Sequence, residues 1–588
     1  MPGSERLRHG VVLLIVGSLP AALSCSDGPA APPPFPDLRF EPPVLALETN
    51  RTGVARLRNN TSTTFGPIAL IALEVRDESG APVAGAQLEP DPTRIPALAG
   101  ESEEVITLNL ALPPGIPAGP YRVALEARLG SRRTSRLDID FAVPPRSATV
   151  AAVTIVSGPA SPRQGDVVLY AAEARDATGV PVPSPGLSWR LLPVSAGLID
   201  AGGRFVGYEP GPARIIVSAD AVADTAGIQI RSRGTMHGTF EVVSRGSVTS
   251  RFTSDLWVQG DVAYTGTWGF RGTGESLREG DLLFAWDIGD PSAPLLTDSV
   301  LVEGAAVVND VKIRSDGTLA VATVEFSGEN GIMLLDIADP HHPKVIRRFS
   351  PPELGSGSGV HNTWIEGNHL YAVTHRLVVL DVSEPDDPAV VTTYFGGSSF
   401  LHDVYVRDGL AFLSHWAAGL IILDVGDGIA GGSPTSPIEV SRIDLPNYLV
   451  HNAWYWPEAG YTFLGDEVGI PGVMRVIDVR DPRDPKAAAS FAATGAAPHN
   501  FWLDEERGIL YMAWYENGVI ALDVSGELLG QLELQDREIA RIRYAEGGLC
   551  PFNADSSTQT CTFAPQLENG FLYVADMNTG LWVLRPAF

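Results

Sequence analysis

The sequence predicts an all-β protein in which two β-sandwich modules precede a seven-bladed β-propeller. Three observations carry this expectation. A near-copied tripeptide recurs as Trp286-Asp287-Ile288, Leu335-Asp336-Ile337, Leu380-Asp381-Val382, Leu423-Asp424-Val425, Ile477-Asp478-Val479 and Leu522-Asp523-Val524, at the roughly 45-residue spacing of propeller blades. The 61 Gly and 47 Pro, with short β-branched runs and no long apolar stretch at helical spacing, favour strands joined by turns. A chain of 588 residues also exceeds what one core can organise, so several domains are expected.

Residues 1–25 have the build of an export signal: Arg6 and Arg8, then the apolar run Val11 to Val16, then Leu19-Pro20-Ala21-Ala22-Leu23-Ser24-Cys25. The run is too short for a mature membrane span. Its end resembles a bacterial lipobox, with Leu at −2 rather than −3, which implies lipidation at Cys25; plain signal-peptidase cleavage is the alternative. Lipidation would tether the protein to a membrane at the periplasmic face of an outer membrane or at the cell surface. Residues 26–37 contain Pro29, Pro32, Pro33, Pro34 and Pro36, the composition of an extended tether.

Residues 38–146 alternate strand-like runs such as Val54 to Arg58 and Ile68 to Val75 with polar turns, as in an immunoglobulin-like sandwich. Residues 147–233 resemble the group 2 bacterial Ig-like modules of surface proteins. That resemblance rests on Val153-Thr154-Ile155, Gly165 to Leu169, Ser188-Trp189 and Gly211 to Ala219. Both modules read as spacers forming a stalk, with adhesion as the alternative.

From residue 234 to 588 the repeats take over. A unit opens with His-Asn or His-Asp, continues through two strands, and ends in a Gly-led strand with Leu-Asp-Val and a turn such as Asp290-Pro291, Asp339-Pro340, Glu384-Pro385 or Asp481-Pro482. These acids start turns while Pro fixes φ, so they are structural. The units resemble the LVIVD-repeat family of exported bacterial proteins, which implies a propeller. Unit starts fall at Ser254-Asp255, Asn309-Asp310, His361-Asn362, His402-Asp403, His451-Asn452, His499-Asn500 and Pro565-Gln566. The last unit lacks an outer strand, and Gly238 to Val243 is expected to supply it and remove a free edge.

Four of the 11 His thus share one place in four successive units: His361, His402, His451 and His499. The ends of the following strands should return to the same mouth with His375, His415, Asp466, Glu467, Glu516 and Asp576, joined by Trp364, Trp416, Trp454, Trp502, Trp514 and Tyr515. Two readings stand. The imidazoles tie each blade to the next, or they converge on a ligand or a transition metal, Zn or Cu. Exported copper-dependent propeller oxidases are similar in having channel histidines, although their other motifs have no local match here.

Cys550 and Cys561 bracket a polar loop and read as a disulfide in an oxidising compartment, with a metal site the weaker reading. The balance of 42 basic to 70 acidic side chains, net charge −28, repels phosphate backbones and excludes nucleic acid as a partner. No Gly-x-Ser-x-Gly, Walker A or His-Glu-x-x-His motif occurs. The expected function is a membrane-tethered scaffold that binds a surface protein, glycan or small molecule at its His-rich mouth. A metal-dependent extracytoplasmic enzyme using the channel histidines is the alternative.

Overall fold

The computed structural model describes residues 38–588 except 42–43, 48–51, 60, 62, 101, 114–115, 131, 144–148, 184, 249, 270–278, 326–330, 351–353, 355–358, 398–399, 446–448, 468–471 and 545–559. Cys25, the tether and Cys550 therefore lie outside the described residues. Within them the protein is all-β, with no α-helix.

In the first module, a sheet of Leu38–Glu41, Thr52–Asn59, Glu103–Ala111 and Gln87–Asp91 shares one core with a second sheet built on Gly119–Leu129 and Arg132–Val143. Apolar residues at alternate positions, such as Leu137, Ile139 and Phe141, face that core, as the two-residue strand period requires. The next module gathers three small sheets around Trp189, Phe205 and Ile215.

The remaining strands form successive antiparallel sets of four. Four of these begin at Asn362–Glu366, Leu401–Arg407, Val450–Trp456 and Phe501–Asp504. Two earlier sets, beginning at Phe252–Gln259 and Val307–Ile313, merge into one sheet through Thr267 opposite Val308 and Trp268 opposite Val307. The seventh set comprises Thr562–Glu568, Phe571–Asp576 and Gly580–Ala587, completed by Thr239–Ser247 from the other end of the sequence. This is the expected end-to-end pairing, with Thr239 opposite Ala587 and Ser247 opposite Gly580. Residues from all seven first strands line a single cavity.

The repeated Asp earns its recurrence locally. Its Oδ1 accepts the amide two residues on, from Gly289 to Asp287, Ala338 to Asp336, Ser383 to Asp381, Arg480 to Asp478 and Ser525 to Asp523. Each carboxylate thereby starts the turn that ends its strand.

The two N-terminal modules are not held off as free spacers; both pack on the sixth set. Arg56 pairs with Glu533, Arg233 with Asp523, and Arg204 with Glu527 at 3.1 Å. Arg537 donates to the carbonyl of Gly165 at 2.6 Å, and Val206 and Tyr208 share an apolar cluster with Leu529. Arg56, Arg233 and Arg537 are all buried, and stay so because each meets a carboxylate or carbonyl.

Candidate functional site

The first strands of the sets bring the four imidazoles into one cluster, His402 and His451 from within their strands and His361 and His499 from just ahead of theirs. Ring centroids are 4.4 Å apart for His361 and His402, 4.5 Å for His402 and His451, and 4.0 Å for His451 and His499. Side chains at four of these positions also run a relay, each bonding to the backbone of the next set. Ser254 donates to the carbonyl of Asn309 at 2.9 Å and Asn309 to that of His361 at 3.0 Å. His402 Nδ1 donates to the His451 carbonyl at 3.0 Å, and His499 Nδ1 to that of Phe563 at 2.7 Å. The seventh position is thus Phe563, two residues before the expected start at Pro565, because its part in the relay is played by a backbone oxygen.

The relay is the structural tie, and it has a chemical consequence. A carbonyl only accepts, so Nδ1 of His402 and of His499 carries the proton, and each Nε2 presents a lone pair. His402 Nε2 and His451 Nε2 lie 3.8 and 3.9 Å from Glu467 Oε2. Each of the three residues offers one donor atom, and those atoms lie within 4.8 Å of one another. All three side chains are buried, and among the described residues Nδ1 of His451 meets no hydrogen-bond partner. Tyr515 donates to Glu467 Oε1 at 2.7 Å.

His361 breaks the pattern by turning Nδ1 to Glu325, 3.1 Å from Oε1 and 3.2 Å from Oε2. Burial opposes its charge, yet the Glu325 carboxylate outweighs burial and lifts it to about 9. Burial, followed by the charge on His361, drives His402 well below its usual value. Burial and the neighbouring imidazoles do the same to His451, and burial takes His499 down to about 3. Burial raises Glu467. At neutral pH three of the four rings are therefore neutral, the form that ligates metal.

The other expected residues divide. Trp416 lies 5.3 Å from the His402 ring and Tyr515 lies 5.1 Å from the His499 ring, so both belong to the cluster. His375 reaches only its edge, 5.5 Å from Phe400. His415 is buried against Gly396, and burial lowers its pKa. Asp466 accepts the amide of Leu449 at 3.2 Å and lies 3.7 Å from Arg39 of the first module. Asp576 accepts the amides of Cys561, Asn578 and Thr579, a loop-ordering role. Trp514 lies in the core with Nε1 on the Ala496 carbonyl. Trp364, Trp454 and Trp502 line the central cavity instead, each standing three residues beyond the His of its set.

Glu325 is the residue that the unit starts did not reveal. It stands opposite Val307, as Asp466 stands opposite Val450 and Asp576 opposite Thr562. Its unit opens with Asn309 rather than His, which hid it.

These features define an all-β repeat protein with a buried imidazole–carboxylate cluster. A family model described as the LVIVD repeat matches residues 358–395 and 401–444, the third and fourth of the repeated sets. A comparison with curated proteins found no match.

Proposed function

We propose that residues 234–588 are a seven-bladed LVIVD-type propeller, that residues 38–146 and 147–233 are Ig-like sandwiches docked on it, and that the chain is an exported, lipid-anchored binding scaffold whose histidine cluster holds one transition metal ion, zinc or copper. The observation that carries the metal is the convergence of one ring nitrogen each of His402 and His451 and a Glu467 oxygen within 4.8 Å, with the two Nε2 atoms 3.8 and 3.9 Å from Glu467 Oε2. Bonds of about 2.0–2.2 Å put tetrahedral donors about 3.4 Å apart, so the Nε2–Oε2 separations of 3.8 and 3.9 Å would close by about half an ångström and the widest pair, within 4.8 Å, by up to about 1.4 Å. The His402 relay bond is the kind of outer partner that fixes a metal-binding tautomer. The LVIVD match and the sevenfold succession of sets support the propeller, and the Cys25 lipid and Cys550–Cys561 disulfide belong to the same export reading.

The full chain, stripped with a chelator and reloaded with Zn²⁺ or Cu²⁺, should retain one ion per chain by atomic emission, and a His402→Ala, His451→Ala double variant should retain none. Retention no better than that of the double variant would sink the metal. A metal-dependent enzyme is the second reading. It is favoured by the donor count, because two imidazoles and one carboxylate leave the open position that catalytic zinc sites keep.

A further inference from the structure

Past the imidazole cluster, the same strands surround a second chamber that the metal reading does not use. Five aromatic rings form a closed collar there. Centroids are 6.0 Å apart from Trp257 to Trp364, 4.4 Å from Trp364 to Tyr405, 5.1 Å from Tyr405 to Trp454 and 5.1 Å from Trp454 to Trp502, with 6.2 Å from Trp502 back to Trp257. The cavity they border has a volume of about 50 Å³, several times the room one water needs.

It holds more carboxyls than cations, and burial raises both Asp255 and Asp403, Asp403 to about 7. Asp255, Asp310 and Asp403 are all buried around one ammonium, that of Lys312. Lys312 pairs with Asp310 and lies 3.6 Å from Asp255. Asp310 is further satisfied by the Thr363 amide at 2.8 Å. Asp403 accepts the Val404 amide, yet among the described residues no cationic side chain lies within 4.0 Å of it. A carboxylate buried without a counterion is costly, and a cation entering the cavity it lines would relieve that cost.

The collar says which cation. Lys312 Nζ already sits over the Trp257 ring, 5.2 Å from its centroid, so the chain itself places an ammonium against this aromatic surface. Aromatic faces attract organic ammonium groups, whereas a hard metal ion needs six or more oxygen ligands. A neutral sugar could stack on the rings but would leave Asp403 unpaired.

We propose that this chamber binds the ammonium head of a small organic cation, admitted through the ring of Trp257, Trp364, Tyr405, Trp454 and Trp502 and neutralised by Asp403 with Asp255. The test follows tryptophan emission of the full chain during titration with tetramethylammonium chloride at constant ionic strength, with tert-butanol as the neutral isostere and glucose as the sugar. The expected result is a saturable change with tetramethylammonium alone. Asp403→Asn should weaken it at least tenfold, and Trp454→Phe should weaken it less, both with an unchanged near-UV circular dichroism spectrum. A well-folded Asp403→Asn variant of unchanged affinity would overturn the proposal. So would an equal response to tert-butanol, binding of glucose only, or no saturable response at all. Should Asp403→Asn fail to fold, Trp454→Phe and the tert-butanol comparison decide alone.

Discussion

The phenol of Tyr515 donates to Glu467 across 2.7 Å in a buried setting, and Tyr515 holds a backbone φ of 35° to do so. Residues other than glycine enter this left-handed region at a cost of about 1–3 kcal/mol, which the surrounding structure must offset. Here the turn is anchored by the bridge from Tyr515 to Thr562, and by Trp514 packed in the core.

Tyr515 is therefore a positioning residue for Glu467. Tyr515→Phe keeps the ring and its contact with His499 while removing the hydroxyl. It should lower affinity for Zn²⁺ by about 10–100-fold, the usual effect of losing an outer partner of a ligand. A competitive chelator titration reads this directly, alongside a melting curve that should move little. Unchanged affinity in a stable variant would argue that Glu467 is not a ligand.

Among the described residues Asp424 accepts more backbone amides than the other repeated turn aspartates. It is buried, and it accepts amides from Gly426 at 2.9 Å, Gly428 at 3.2 Å, Ala430 at 2.7 Å and Gly432 at 3.1 Å. Burial opposes its charge, but the four donors win and hold the carboxyl well below the usual range. A depressed folded pKa gives stability that is present above the unfolded value of about 3.9 and is lost as pH falls toward the folded one. Asp424→Ala should cost about 2–4 kcal/mol at pH 7. Urea unfolding at pH 7 and at pH 3 should show the gap between wild type and variant narrowing in acid. A gap independent of pH would mean that the loop is held by packing rather than by this charge.

What the sequence disclosed follows from how local each cause is. The acids of the Asp-Pro turns were legible because donor and acceptor lie two residues apart, as for Ser292 on Asp290 and Arg483 on Asp481, and His361, His402, His451 and His499 were legible because duplication repeats them in register. Phe563 was not, since it offers a backbone carbonyl that any residue could supply. The tryptophans at 364, 454 and 502 were assigned to the wrong depth. A period of two tells which face of a strand a side chain takes, but not how far along the axis it sits. Docking of the N-terminal modules through Arg56, Arg233 and Arg537 was hidden because those partners are hundreds of residues away in sequence.

The pairing of Thr239–Ser247 with Gly580–Ala587 makes a final prediction about how the two ends of the repeat region depend on each other. Phe240 anchors the pairing: it is buried, meets Phe588 edge-on at 5.5 Å, and lies 6.3 Å from Tyr511 of the neighbouring set. Phe240→Ala removes that anchor and leaves a cavity, so it should cost about 3–5 kcal/mol. Deleting residues 236–247 goes further by baring the unpaired groups of Gly580–Ala587, an edge that invites pairing with a second chain. Light scattering should then show oligomers in the deletion variant, while Phe240→Ala stays monomeric with a lower melting temperature. A monomeric deletion variant that melts with the wild type would show that the seventh set stands without its fourth strand.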